Sequence, residues 1–210
     1  MGPDEASPAL QPLQALTRLV DLRIEYLNDV VTSSVLSGMQ HLTRLELSFC
    51  VEMEPDGLAG KTKLQHLCLR ECEIVGGAAG GAQLLSHLQP LQQLTRLDLW
   101  FSLPAVEGSN PPASAYAALT ASSKLQQLNI GACTLPAGVW QHMFPTGRQL
   151  PNLQSLNISC IKQPSGSYAQ TPEATRLVSC CPCLHSLRLG SRLVVIGCAE
   201  QPSGNCAPAP

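Results

Sequence analysis

The stretches "HLTRLEL" (41–47), "QLTRLDL" (93–99) and "KLQQLNI" (124–130) repeat one phrase, Leu-x-x-Leu-x-Leu with Ile allowed last. The phrase occurs seven times: Leu19-Leu22-Ile24, Leu42-Leu45-Leu47, Leu64-Leu67-Leu69, Leu94-Leu97-Leu99, Leu125-Leu128-Ile130, Leu153-Leu156-Ile158 and Leu184-Leu187-Leu189. All 21 slots hold Leu or Ile, although these residues fill only 40 of the 210 positions. Apolar and polar residues alternate within each copy, the period of a strand with one buried face. Successive copies are 23, 22, 30, 31, 28 and 31 residues apart, a spacing typical of stacked supersecondary units.

One strand with its connection cannot bury its own leucines, so copies must stack to make a continuous core. The expected fold is therefore an α/β solenoid of about seven repeats. Its parallel β-sheet should lie on the concave face of a curved horseshoe, with helices, 3₁₀ turns and loops on the convex face. Apolar residues at spacings of three and four predict helices in 33–42, 82–94, 114–125 and 172–184. The link "VEMEPDGLAGKT" (51–62) is too short and broken for a full helix, and a 3₁₀ turn or loop is expected there. Gly76–Gly81, "GGAAGG", reads as a flexible inter-repeat loop. The repeat domain is placed at 13–198. Residues 1–12 form a disordered or partly helical lead-in, and 199–210 a Pro-, Gly- and Ser-bearing disordered tail.

Composition narrows the function classes. A net charge of −2 gives no electrostatic case for nucleic acid. No run reaches the roughly 18 apolar residues of a membrane span, and the start lacks the apolar core of a signal peptide. A reducing, cytoplasmic setting is expected, with nuclear or ciliary-axoneme placement as alternatives, and the ten cysteines then read as free thiols. Charged residues make up only 13 %, leaving a thinly solvated surface that suits coverage by a partner.

The slot three places after each final Leu or Ile carries the next signal. It holds Cys50, Cys72 and Cys133, with Leu27, Ser102, Ile161 and Arg192 in the other copies. With "CCPCLHSLRL" (180–189) and "LPNLQSLNIS" (150–159), residues 13–192 resemble the leucine-rich-repeat family, in its cysteine-containing subclass of F-box-type proteins. The resemblance implies a protein-binding module that binds another protein on the concave face. It allows two alternatives: a substrate-recognition part of a ubiquitin ligase, or a component of a cytoskeletal or ciliary assembly. No F-box segment precedes the repeats in this sequence, so the ligase role is not carried over.

The polar residues between the Leu slots should all leave the same face of the sheet, in columns. The third-slot column runs Asp21, Arg44, His66, Arg96, Gln127, Ser155, Ser186. The fifth-slot column runs Arg23, Glu46, Cys68, Asp98, Asn129, Asn157, Arg188. Lateral ion pairs Asp21–Arg44 and Arg23–Glu46 are expected. Four of the eight aromatics, Tyr26, Phe49, Trp100 and Phe101, fall at strand ends along one rim, next to Arg70. Aromatics beside arginine are the composition of binding hot spots. The expected partner site therefore comprises Tyr26, Arg44, Glu46, Phe49, His66, Arg70, Arg96, Asp98, Trp100 and Phe101, in the N-terminal half of the face.

No cofactor, small-molecule substrate or catalysis is expected. "GKT" at Gly60-Lys61-Thr62 lacks both the upstream glycine and the following helix of a phosphate loop. Cys180 and Cys183, with Cys198 and Cys206, are weak metal candidates because their spacing does not complete a four-ligand site. His66 and Cys68 share a strand face but lack a third, orienting group.

Overall fold

The computed structural model describes residues 10–28, 30–50, 52–103, 111–163, 165, 167, 172–190 and 192–195. Each Leu-x-x-Leu-x-Leu copy centres on a strand: β1 (Asp21–Glu25), β3 (Arg44–Ser48), β5 (His66–Arg70), β7 (Arg96–Asp98), β8 (Gln127–Asn129), β9 (Ser155–Ile158) and β10 (Ser186–Leu189). These seven strands form one parallel sheet in chain order, and an antiparallel eighth, β11 (Arg192–Val195), closes the far edge. The fold is thus α/β around a seven-stranded parallel sheet. Three two-residue strands, β2 (Val30–Val31), β4 (Glu52–Met53) and β6 (Glu73–Ile74), make a second small parallel sheet that the sequence reading did not foresee.

The register matches the columns. Leu22, Leu45, Leu67, Leu97, Leu128, Leu156 and Leu187 are partners in one unbroken row. Eighteen of the 21 phrase positions are buried; the other three, Leu19, Ile24 and Leu189, lie in the first and last copies and are only partly covered. That is where a stack runs out of neighbours.

The connections differ from expectation in kind more than in place. The helix predicted over 33–42 is a single turn, α1 (Ser33–Ser37), whose first N–H donates to the Glu54 carboxylate of the following copy at 2.6 Å. The link after β3 contains the expected 3₁₀ turn, Pro55–Leu58. The stretch 114–125 is a 3₁₀ helix over Ala113–Thr120, not an α-helix. Helix α3 (Val139–Met143) was not expected, and α4 (Ala174–Cys180) falls inside its predicted window. These crossings pack on one another from copy to copy and form a second layer.

Gly76–Gly81 is the clearest correction. Helix α2 (Gly77–Leu88) begins inside it, five residues before the predicted start, and Gly80 and Gly81 are buried. A Cβ on Gly80 would lie 1.8 Å from the Val75 carbonyl oxygen. The run exists because the helix leaves β6 too closely for side chains, not because the chain is loose.

A second repeated device closes each strand end. The slot two places after Leu47, Leu69, Leu99 and Ile130 turns in the left-handed region, at Phe49 (φ 56°), Glu71 (φ 49°), Phe101 (φ 58°) and Ala132 (φ 57°), as do Tyr26 and Cys160. Their N–H groups donate to the next copy: Tyr26 to Ser48, Phe49 to Arg70, Glu71 to Trp100, Phe101 to Gly131 and Ala132 to Ser159, at 2.8–3.1 Å. One residue on, a side chain donates back to the preceding copy: Cys72 Sγ to the Leu47 carbonyl at 3.3 Å, Ser102 Oγ to Leu69 at 2.9 Å and Cys133 Sγ to Leu99 at 3.0 Å. Ser102, a departure from the cysteine pattern, therefore does the same job through a hydroxyl. Burial pushes the Cys133 thiol up to about 11, so it stays a protonated donor. Replacing Cys133 with Ser should preserve this donor, whereas Ala removes one of the two donors to the Leu99 carbonyl and leaves it only the Ser102 N–H at 3.1 Å. Urea denaturation should find Cys133→Ala less stable than Cys133→Ser by about 1 kcal/mol.

Lys61 is buried, and among the described residues its ammonium has one distant acceptor, the Ser37 carbonyl at 3.4 Å. Burial lowers its pKa. The unfolded chain then binds the proton more tightly, so this group makes stability rise with pH up to about 10.4. Lys61→Met should raise the melting temperature at pH 7, and the gap between variant and wild type should narrow as pH approaches that value. Thermal melts across pH 7–10 measure it.

Candidate functional site

Among the described residues, the alternate side chains of β1, β3, β5, β7, β8, β9 and β10 form a largely half-exposed polar face, in which Cys68 and Asp98 are buried. Its charges mostly satisfy one another. Arg23 pairs with Asp21 at 3.2 Å and reaches Glu46 at 3.5 Å; Arg44 pairs with Glu46 at 2.8 Å. The Arg23–Glu46 lateral pair is present. The Asp21–Arg44 pair is replaced by contacts along each strand, because a long guanidinium reaches a carboxylate two residues away on its own strand face. His66 lies in the same column, and burial followed by Arg44 and Arg96 lowers its pKa.

The centre of the face is Asp98, whose side chain is only 2 % exposed. Arg70 donates to it at 2.5 Å, Asn129 Nδ2 at 2.8 Å and the Trp100 N–H at 3.3 Å, while Arg96 stands 3.9 Å away. Three adjacent copies are thereby tied through one carboxylate. Beyond it a depression of about 210 Å³ extends toward β10, where Ser155, Asn157 and Arg188 join the lining. The sequence reading favoured the N-terminal half; the hollow lies over the middle and C-terminal strands. Short polar side chains make that hollow, and a column of Gln, Asn and Ser carried no individual signal for it.

The rim divides the four aromatics. Tyr26 is 70 % exposed, Phe49 42 % and Phe101 64 %. Tyr26 and Phe49 stack face to face, with centroids 4.9 Å apart and planes 2° from parallel. Trp100 differs: it is half-buried and lies over Gly131, where a Cβ would come within 2.4 Å of its ring. It is a packing residue as much as an exposed one, because the next copy supplies a glycine under it.

The remaining candidates separate from the face. Cys68 is buried, and burial with Asp98 nearby pushes its thiol up to about 11, the opposite of an activated nucleophile. Cys180 is buried and donates to the Pro145 carbonyl at 3.5 Å. Cys198 and Cys206 lie outside the described residues, as do residues 1–9 of the lead-in and the tail at 199–210. Among the described residues no group of three His, Cys, Asp or Glu is placed to hold a metal ion. Gly60-Lys61-Thr62 is followed by no helix, and Lys61 is turned inward. No described helix is long and apolar enough to cross a membrane. No family model matches the chain, and no curated protein matches it.

Removing the Asp98 carboxylate leaves three donors without their acceptor. Asp98→Ala should lower unfolding free energy by about 1–3 kcal/mol, and Asp98→Asn by less because one acceptor oxygen remains. Chemical denaturation of both variants checks the order.

Proposed function

We propose that the chain is a leucine-rich-repeat solenoid that binds another protein on its open sheet face, without catalysis. The single observation behind this reading is the rim. Tyr26, Phe49 and Phe101 stand exposed at the ends of β1, β3 and β7, in a backbone conformation that turns them away from the core. A folded chain with so few charges gains nothing for solubility by displaying three rings along one rim, whereas rings ordered against a polar sheet supply binding area at small entropic cost. The face beside them carries in-register columns of hydrogen-bonding side chains, which suit an extended macromolecular surface. The concave shape and the repeat family belong to this proposal. So does the wider site, from Arg44, Glu46 and His66 through Arg70, Arg96 and Asp98 to Trp100.

Affinity capture with two variants tests it. A rim variant carries Phe49→Ala and Phe101→Ala; a face variant carries Arg96→Ala and Arg188→Ala. Each should weaken capture of the wild-type partner at least about tenfold while the circular dichroism spectrum stays unchanged. Folded variants that both retain every partner would sink the reading.

A further inference from the structure

The rim column has a gap. In order across the sheet it reads Tyr26, Phe49, Glu71, Phe101, each in the left-handed conformation with its N–H bonded to the following copy. Tyr26 covers the face of Phe49 toward the first strand. On the other side of Phe49 the next place holds a carboxylate in place of a ring, and Phe101 has no ring partner among the described residues. A groove of about 550 Å³ opens there, walled by Phe49 and Phe101 with Glu71 and Glu73 along it. Both glutamates are exposed, and neither carboxylate has an ion pair or hydrogen bond among the described residues. The nearest cation along the strand, Arg70, is committed to Asp98.

Strands lie about 4.8 Å apart, so rings two places apart stand about 9.6 Å from each other. A flat group midway would sit about 4.8 Å from each ring, inside the roughly 6 Å reach of a cation–π contact. The charge beneath is negative. We propose that this gap receives an arginine side chain of a partner protein, the guanidinium lying between Phe49 and Phe101 with its N–H edge on Glu71. Arginine fits better than lysine because a planar cation offers a face to both rings and a fork to the carboxylate at once. The proposal deepens the protein-binding reading and rests on it for the partner.

The probe is the tripeptide acetyl-Gly-Arg-Gly-amide, titrated at low ionic strength and followed by ligand-observed NMR. Binding should move the arginine δ-methylene signal upfield through the ring currents. Lysine and citrulline versions should bind at least about tenfold more weakly, and Glu71→Gln and Phe101→Ala should each lower arginine affinity by about tenfold. Both variants should fold: Gln keeps the shape of Glu71, and Ala132 already occupies the same left-handed place one copy on. An unshifted arginine signal, equal binding of lysine or citrulline, or unchanged affinity in Glu71→Gln overturns the proposal. So does concentration-dependent dimerisation that Glu71→Gln abolishes, because the occupant is then a second copy. A captured partner that survives Glu71→Gln but is lost by the Arg96→Ala, Arg188→Ala variant overturns the arginine site alone. A tripeptide that binds while no partner depends on rim or face overturns the wider reading and leaves the site.

Discussion

Everything rests on one row of side chains. Leu22, Leu45, Leu67, Leu97, Leu128, Leu156 and Leu187 are directly opposed across six parallel pairings. No copy could keep these groups dry alone, and each fully buried leucine contributes roughly 1.5–3 kcal/mol. Because side chains alternate, turning this row inward forces the third and fifth positions of every copy outward. The polar columns are therefore a by-product of core formation before they are anything else. A one-residue slip in any strand would expose its leucines, so register is strongly held, and with it the alignment of Arg70, Asp98 and Asn129 from three different copies.

The strand ends show a second constraint. Six non-glycine residues among those described hold a positive φ, each at a conformational cost of about 1 kcal/mol or more. That cost is repeated because the turn lets two separate groups bond to neighbouring copies: the N–H at the turn reaches forward, and the thiol or hydroxyl one residue later reaches back. The same turn directs the intervening side chain out of the core. An apolar residue placed there cannot be buried by its own copy. Its neighbours can only stack on it, as Tyr26 does on Phe49.

The sheet was readable in the sequence because its signal is strict: a two-residue period with Leu or Ile at every slot. The crossings were not, for a physical reason. Over five to eight residues, apolar spacings of three and four serve an α turn and a 3₁₀ turn equally well, so Ala113–Thr120 could not be told from an α-helix. The glycine run misled because composition shows backbone freedom and not steric need; only the Val75 carbonyl facing Gly80 distinguishes them. At the rim, Tyr26, Phe49 and Phe101 were legible as exposed because their slot falls at the turn. Trp100 was half-legible, since its cover is the absence of a side chain at Gly131, about one repeat away. The hollow beyond Asp98 was not legible at all, because it is made by what Asn157 and Ser155 fail to fill.

Charge decides what the face could offer a partner under the proposed reading. Arg23, Arg44 and Arg70 are each within 3.5 Å of a carboxylate of the same face. Asp98, the partner of Arg70, is buried, but the exposed pairs made by Arg23 and Arg44 contribute little to stability, with a median of about 0–1 kcal/mol, and are screened by salt. Their larger effect is to neutralise the middle of the sheet, so a partner meets little net field there and must rely on hydrogen bonds and shape. Among the described residues, charges without an ion pair sit at the margins, with Glu71 at the rim and Arg188 on β10. Opposite signs at separated margins set a direction. A partner with a complementary pair of charges can dock one way round and is repelled the other, so orientation would come from residues that add little to affinity, consistent with the general role of rim electrostatics.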